Sequence, residues 1–306
     1  MSAVPSPTNR VPATRVPTII VHGGAGADLS DAPDELRHGV RAAAQAGWQV
    51  LASGGSALDA VESAVRSLED HPRFNAGRGS VLTVDGTVEM DASIMEGDRL
   101  ECGAVAAVTR IANPITLARR VLEGRRHVLL VGPGAIQFAR SSGIAECAAE
   151  SLVTDRQRRR HAQLAARSSA ADGGTVGAVA LDRHGTVAAA TSTGGTAGKH
   201  SGRVGDSALI GSGTYADSSI GGVSCTGDGE AIVRVVLGSR ALHYLKEADN
   251  PDYAAKVAVD LLVEEGRGQG GLILVDWRGR AAYAHSTPLM PVAIMSPTLA
   301  EPRVPF

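Results

Sequence analysis

Aromatic side chains are scarce: Phe, Trp and Tyr together make up 3% of the 306 residues. Base-stacking platforms and sugar-stacking surfaces therefore lack raw material. Cysteine is as thin, with Cys102, Cys147 and Cys225 widely spaced and no C-x-x-C among them. An odd, scattered set of three excludes a disulfide framework and a zinc knuckle. No apolar run approaches the about 18 residues of a membrane span. Neither sign of charge is in excess, because 30 Lys+Arg stand against 32 Asp+Glu. A formal charge of −2 supplies no field for holding nucleic acid or an anionic membrane. The opening MSAVPSPTNRVPATRVP carries Pro5, Pro7, Pro12 and Pro17 and no apolar segment of signal-peptide type. It is expected to be a loose leader on a cytoplasmic, reduced protein.

Several catalytic signatures are also missing. There is no G-x-S-x-G elbow, no P-loop, no H-E-x-x-H and no EF-hand loop. The nine histidines are dispersed, so spacing predicts no metal cluster. Gly132-Pro133-Gly134 begins like a dinucleotide fingerprint but lacks the third small residue and the later acidic partner, and reads as a tight strand-to-helix turn.

What remains is a glycine-rich chain, 37 of 306 residues, with ordinary apolar content. A strand over Thr18–His22 is predicted to enter the turn Gly23-Gly24-Ala25-Gly26. Helices are predicted over Pro33–Ala52 and after Ser56, with Ser56 as N-cap and Asp59 in capping-box position. Residues 80–93 read as a hairpin turning at Asp85-Gly86. A strand at 102–108 and a helix from Asn113-Pro114 to Gly124 follow, then a strand running into a helix at 127–134. Residues 145–174, rich in Arg, Ser, Ala and Gly, read as an exposed, flexible connector. Two hairpins, 175–193 and 271–287, flank a Gly-rich stretch and two helices, the second starting at Asn250-Pro251. Hairpins outnumber βαβ units, which predicts an α+β fold of antiparallel sheets covered by helices.

The chemistry gathers after the connector. Thr175 follows Gly173-Gly174 at the start of an apolar strand. On its own it would read equally well as a β-branched strand residue. One task fits its place: its hydroxyl attacks the Gly174 carbonyl, the acyl group shifts from N to O, and water opens the ester. Thr175 would then be an N-terminal residue carrying a nucleophile and its own base, since an α-amino group has a pKa of about 8. Gly174 leaves room for the attack. Thr193, in Thr191-Ser192-Thr193-Gly194-Gly195, ends the partner strand and sets a second hydroxyl beside the first. Arg203 and Asp206, three apart in a Gly-flanked loop, can grip a carboxylate and an ammonium together, the α-carbon end of a free amino acid. Thr226 and Gly227, in Ser224-Cys225-Thr226-Gly227-Asp228-Gly229-Glu230, are expected at a helix start, where a hydroxyl and an N–H make an oxyanion hole.

These segments, with IIVHGGAGA (19–27), SLEDHPRFNAGRGSVLTVDGTVEMDASIMEG (67–97) and CGAVAAV (102–108), resemble the plant-type (class 2) L-asparaginases and isoaspartyl peptidases among the N-terminal-nucleophile hydrolases. The likeness runs from Ile19 to about Ala293. It implies an αββα four-layer sandwich, one domain over 1–306, cut between Gly174 and Thr175 into an α chain (1–174) and a β chain (175–306) that assemble as (αβ)2. It implies Thr175 as nucleophile, Thr193 tuning it, Arg203 and Asp206 as the substrate clamp, Thr226 and Gly227 as oxyanion hole, Gly229 lining the pocket and Asn75 facing the nucleophile. It implies no required cofactor, and a loop whose carbonyls near Leu68, Glu69, Phe74 and Arg78 hold a structural sodium ion. The expected substrates are small: L-asparagine and β-aspartyl dipeptides.

Three places depart from the family pattern: Thr196-Ala197-Gly198, Glu96 in place of Asp, and His285-Ser286-Thr287-Pro288-Leu289-Met290. The first and last bear on pocket breadth. His22 reads as a turn-packing residue rather than a base. The alternatives are a glycosylasparaginase-like hydrolase, disfavoured by Gly174 where that enzyme has Asp, a protease of the same family, and a non-catalytic module holding an anion on its Gly-rich loops.

Overall fold

A computed structural model describes residues 15–26, 33–166 and 174–306, and the statements that follow concern those residues. Strand β1 (Thr18–His22) leads to helices α1 (Pro33–Ala52) and α2 (Ala57–Asp70). Ser56 caps α2 by accepting from the Asp59 N–H at 3.1 Å, the predicted cap. Strands β2 (Met90–Glu96) and β3 (Glu101–Val108), helix α3 (Pro114–Gly124), strand β4 (Leu129–Val131) and helix α4 (Gly132–Ser141) complete most of the N-terminal half. Short α5 (Ala149–Leu152) and α6 (Asp155–Ala166) end it. The C-terminal half opens with β5 (Val176–Leu181) and β6 (Val187–Thr193), then a 3-10 turn at Asp206–Ala208. Strands β7 (Thr214–Asp217) and β8 (Gly221–Gly227), helices α7 (Gly229–Val235), α8 (Leu237–Ala248) and α9 (Pro251–Glu264), and strands β9 (Gly270–Asp276), β10 (Ala281–His285) and β11 (Val292–Met295) follow.

Seven strands form one sheet in the order β11-β1-β5-β6-β2-β3-β4, and four form a second, β10-β9-β8-β7. Helices α1, α2 and α3 pack on the outer face of the first sheet, while α8 and α9 cover the second. This is the four-layer αββα sandwich. Because each central strand is covered on both sides, β5 (VGAVAL) is buried throughout and carries no polar-out alternation.

The two-residue period still sorts the side chains. Ala178, Ala180, Ala188 and Ala190 face the helices. Ile20, Val179, Leu181, Val187, Ala189, Ile273 and Val275 fill the layer between the sheets. Followed along the same strands, this inner layer turns from aliphatic to polar, with His22, Thr175, Thr191, Thr193, Ser224 and Thr226 all buried at its other end.

Several sequence expectations change. Residues 80–89 turn at Asp85-Gly86 but do not pair as a hairpin, and only the strand from Met90 forms. Their backbone is satisfied elsewhere: Val81 N–H donates to Asn75 Oδ1, Val84 N–H to the Lys199 carbonyl, and Leu82 O accepts from Gly198 N–H. Gly124 is the last helical residue of α3 and Arg125 takes the left-handed capping conformation, while the Asn113 side chain bonds Asp70 instead of capping. The connector is helical over Asp155–Ala166, held by Gln157 donating to the Gly79 carbonyl at 2.9 Å. Its remaining stretch, 167–173, lies outside the described residues, as do the leader over 1–14 and Ala27. Three helices, not two, separate the C-terminal hairpins, and β3–β4 is a parallel pair in an otherwise antiparallel sheet. No described helix is long and apolar enough to cross a membrane.

Candidate active site

Thr175 stands where the chain enters β5, on the inter-sheet face and 4% exposed. Its Oγ1 donates to Thr193 Oγ1 at 3.2 Å across the β5–β6 pair. Thr193 accepts in turn from the Gly195 N–H at 2.9 Å and lies 3.3 Å from the Gly174 carbonyl oxygen. That same carbonyl receives the Asn75 side-chain amide at 2.6 Å, and Asn75 Nδ2 also reaches the Gly195 carbonyl at 2.7 Å. The peptide carbonyl just before the threonine is thus polarised by an amide and approached by a hydroxyl. Asn75, expected to face the nucleophile, meets the carbonyl that precedes it.

The turn at 23–26 forms the opposite wall. Gly24 has φ +105°, and a Cβ there would come within 2.8 Å of Gly174 Cα and 2.9 Å of the Thr175 nitrogen. Only glycine lets the turn approach the 174/175 junction so closely. Thr226 anchors this wall, its Oγ1 accepting from the Ala25 N–H at 3.0 Å. The departing C-terminal segment backs it: Gly23 N–H donates to the Pro291 carbonyl and Gly26 N–H to the Leu289 carbonyl. Thr226 and Gly227 lie at the end of strand β8, not at a helix start; the helix begins at Gly229 and its cap is Asp228, which accepts from Ala231 N–H.

Arg203 and Asp206 come together beside Gly229, where a Cβ would meet Arg203 Nη2 at 2.8 Å and Asp206 Oδ1 at 3.0 Å. Asp206 is 4% exposed and its Oδ2 has no hydrogen-bond partner. Burial pushes its pKa up to about 7. The Arg203 fork is not free as the spacing suggested: Nε and Nη2 hold Glu230 at 2.8 and 2.7 Å. This hydrogen-bonded pair keeps the Glu230 carboxyl below its usual range. Nη1 stands outside that pair.

Spacing did not single out Glu230, which stood unremarked inside a quoted motif, or Asp91 and Lys199. Asp91 is buried and accepts from the Gly205 N–H at 3.2 Å and the Ala107 N–H at 2.8 Å, fixing the loop that presents Asp206. Lys199 donates to the Glu89 carbonyl at 2.8 Å. Desolvation lowers the Lys199 pKa, and the Asp91 carboxylate opposes that shift. The only signal for these three was a charged residue inside a Gly-rich or apolar run. Glu96 caps its own turn through the Asp98 and Arg99 N–H groups and stays clear of the site.

Glu69, on the helix side of the main sheet, accepts from Ser192 Oγ at 2.6 Å and from the Ile115 N–H at 3.0 Å. Its Oε2 is buried without a partner, and desolvation raises its pKa to about 8. Among the described residues no group of three or more His, Cys, Asp or Glu is arranged to hold a metal ion.

Comparison with known proteins places relatives along this whole framework. A family model described as Asparaginase matches residues 15–301. A protein of Xenopus laevis named isoaspartyl peptidase/L-asparaginase is 49% identical over 276 residues, 89% of each chain. One of Homo sapiens with the same name is 46% identical over 284 residues, covering 90% of this chain and 92% of its own. A plant-type L-asparaginase of Pyrococcus abyssi is 42% identical over 305 residues, covering 93% and 98%.

Proposed function

This chain belongs to the asparaginase family, and from that membership we propose that it hydrolyses the side-chain amide of L-asparagine and the isopeptide bond of β-aspartyl dipeptides, with Thr175 as nucleophile. The observation that carries the nucleophile is that Thr193 Oγ1 and Asn75 Nδ2 meet at the Gly174 carbonyl while Thr175 Oγ1 donates to Thr193 Oγ1.

Maturation comes first. Thr175 Oγ attacks the Gly174 carbonyl carbon while Asn75 and Thr193 stabilise the developing oxyanion. The C–N bond breaks, the proton from Oγ ends on the freed α-amine, and the acyl group rests on Oγ as an ester. Water hydrolyses that ester, giving a new carboxyl at Gly174 and an N-terminal Thr175. In turnover the freed Thr175 α-amine accepts the hydroxyl proton as Oγ attacks the substrate's side-chain carbonyl. Ammonia or the dipeptide's amine leaves with a proton, and water releases L-aspartate. Arg203 binds the substrate α-carboxylate and Asp206 its ammonium, beside Gly229. Thr226 and Gly227, at the end of β8, serve as the oxyanion donors of turnover, and Thr226 also anchors the turn at 23–26.

The same proposal includes a two-piece chain assembled as (αβ)2 and working in the cytoplasm; the three free cysteines fit a reducing compartment. No cofactor takes part in the chemistry. The loop from Leu68 to Arg78 is assigned a structural sodium through its backbone carbonyls, which are hard oxygen donors. Leu68, Glu69, Phe74 and Arg78 would hold it through their carbonyls, although the Leu68 and Glu69 oxygens already accept from His71 and Arg78 N–H groups.

Replacing Thr175 by Ala tests the nucleophile. The variant should stay a single chain and release no ammonia or aspartate from L-asparagine. Turnover by Thr175→Ala would overturn the assignment.

A further inference from the structure

Between the two sheets, a line of buried hydroxyls joins the start of β5 to the turn that bears Asp206. His22 Nε2 meets Ser224 Oγ at 2.9 Å, and Ser224 Oγ meets Thr191 Oγ1 at 2.7 Å. Thr191 Oγ1 meets Thr214 Oγ1 at 2.5 Å, and Thr214 Oγ1 lies 2.8 Å from Ser93 Oγ. Ser93 Oγ ends the line 2.6 Å from the carbonyl of Ser207, the residue after Asp206. These groups come from β1, β8, β6, β7, β2 and the 3-10 turn. None of them has a place in the chemistry above.

A carbonyl only accepts, so Ser93 donates to Ser207. Ser93 also reaches Thr214 Oγ1, Thr214 donates to Thr191, and either oxygen of the Thr191–Ser224 pair can donate. Thr191 in addition approaches the Gly213 carbonyl at 3.3 Å. The His22 imidazole meets the Thr175 backbone as well as Ser224. Burial keeps the ring neutral, lowering its pKa to about 3.

Sterics set the upper end. Gly177 is two residues after Thr175 on the same face of β5, and a Cβ there would meet Ser224 Oγ at 2.0 Å and His22 Nε2 at 2.5 Å. The His22–Ser224 pair therefore sits directly on the strand that presents the nucleophile.

We infer that this line of hydroxyls holds the Asp206 turn in register with the start of β5, making His22, Ser224, Thr191, Thr214 and Ser93 positioning residues for substrate binding. The inference rests on the roles given above to Thr175 and Asp206. An unsatisfied link costs more than a missing one, since the lone pairs and protons on either side are buried. Losing the middle hydroxyl should let the two ends shift against each other without touching the reacting atoms.

The test is a trio of variants assayed on L-asparagine beside the wild type. Thr191→Val removes the hydroxyl at nearly constant shape and should raise KM about tenfold while kcat changes less than about threefold. Thr191→Ser restores the hydroxyl and should return KM to within about twofold of wild type. Ser93→Ala breaks the far link and should raise KM as Thr191→Val does; it decides the matter alone if Thr191→Val does not fold or mature. Wild-type KM in the hydroxyl-lacking variants, with or without a lowered melting temperature, would overturn the inference. The Thr175→Ala variant checks the Thr175 assignment separately, so the two failures are distinguishable.

Discussion

Asp206 carries the sharpest conflict between stability and function. Desolvation raises its carboxyl to about 7, yet gripping an ammonium needs it ionised. The free enzyme therefore gains binding power as pH rises through about 7, and kcat/KM for L-asparagine should climb across that range. The stability sign is opposite. A folded pKa above the unfolded value of 3.8 means the native state holds a proton that the unfolded chain has released, so this contribution falls as pH rises from about 4 to 7. Asp206→Asn should therefore melt higher than wild type at pH 8 while losing asparagine binding. A variant that melts lower at pH 8 and keeps its KM would contradict both statements. At this scale Thr175, Thr193, Arg203 and Asp206 were legible because each sits at a strand end or in a Gly-flanked loop. Glu230's hold on Arg203 was not, since a bidentate pair 27 residues apart depends on how α7 packs against the loop.

Among the elements, the turn between β1 and the first helix matters beyond packing. Gly24 is what permits its contact with the 174/175 junction. Gly24→Ala would put a methyl group at a positive φ and against Gly174 Cα. A cost of about 1–3 kcal/mol for such strain should lower the melting temperature and slow chain cleavage together. Cleavage at the wild-type rate would show that the turn does not wall the junction. Both C-terminal hairpins, α1, and the Ser56 and Asn250 caps followed from local periodicity and capping chemistry. The 80–93 hairpin did not, because loop 194–199 and Asn75 supply the partners a second strand would have offered. The helix over Asp155–Ala166 was hidden by its polarity, for among its described side chains the one that is buried is Gln157.

At the scale of the molecule, sheet order decides what a cut would do. In the sequence β11-β1-β5-β6-β2-β3-β4, β1 to β4 precede residue 174 and β5, β6 and β11 follow it. The two parts are interleaved within one hydrogen-bonded sheet: β1 lies between β11 and β5, and β6 is paired with β2. Neither piece can leave without opening two or more strand ladders and the core beneath them, so a cleaved protein should run as one species until denatured. The most direct measurement is intact mass of the purified chain under denaturing conditions, with N-terminal sequencing of every fragment. Cleavage at Gly174–Thr175 divides 31.3 kDa, by proportion of length, into pieces of roughly 17.8 and 13.5 kDa, the smaller beginning Thr-Val-Gly-Ala. An intact chain that nonetheless hydrolyses asparagine, or a cut at any other bond, would contradict Thr175 as the released nucleophile.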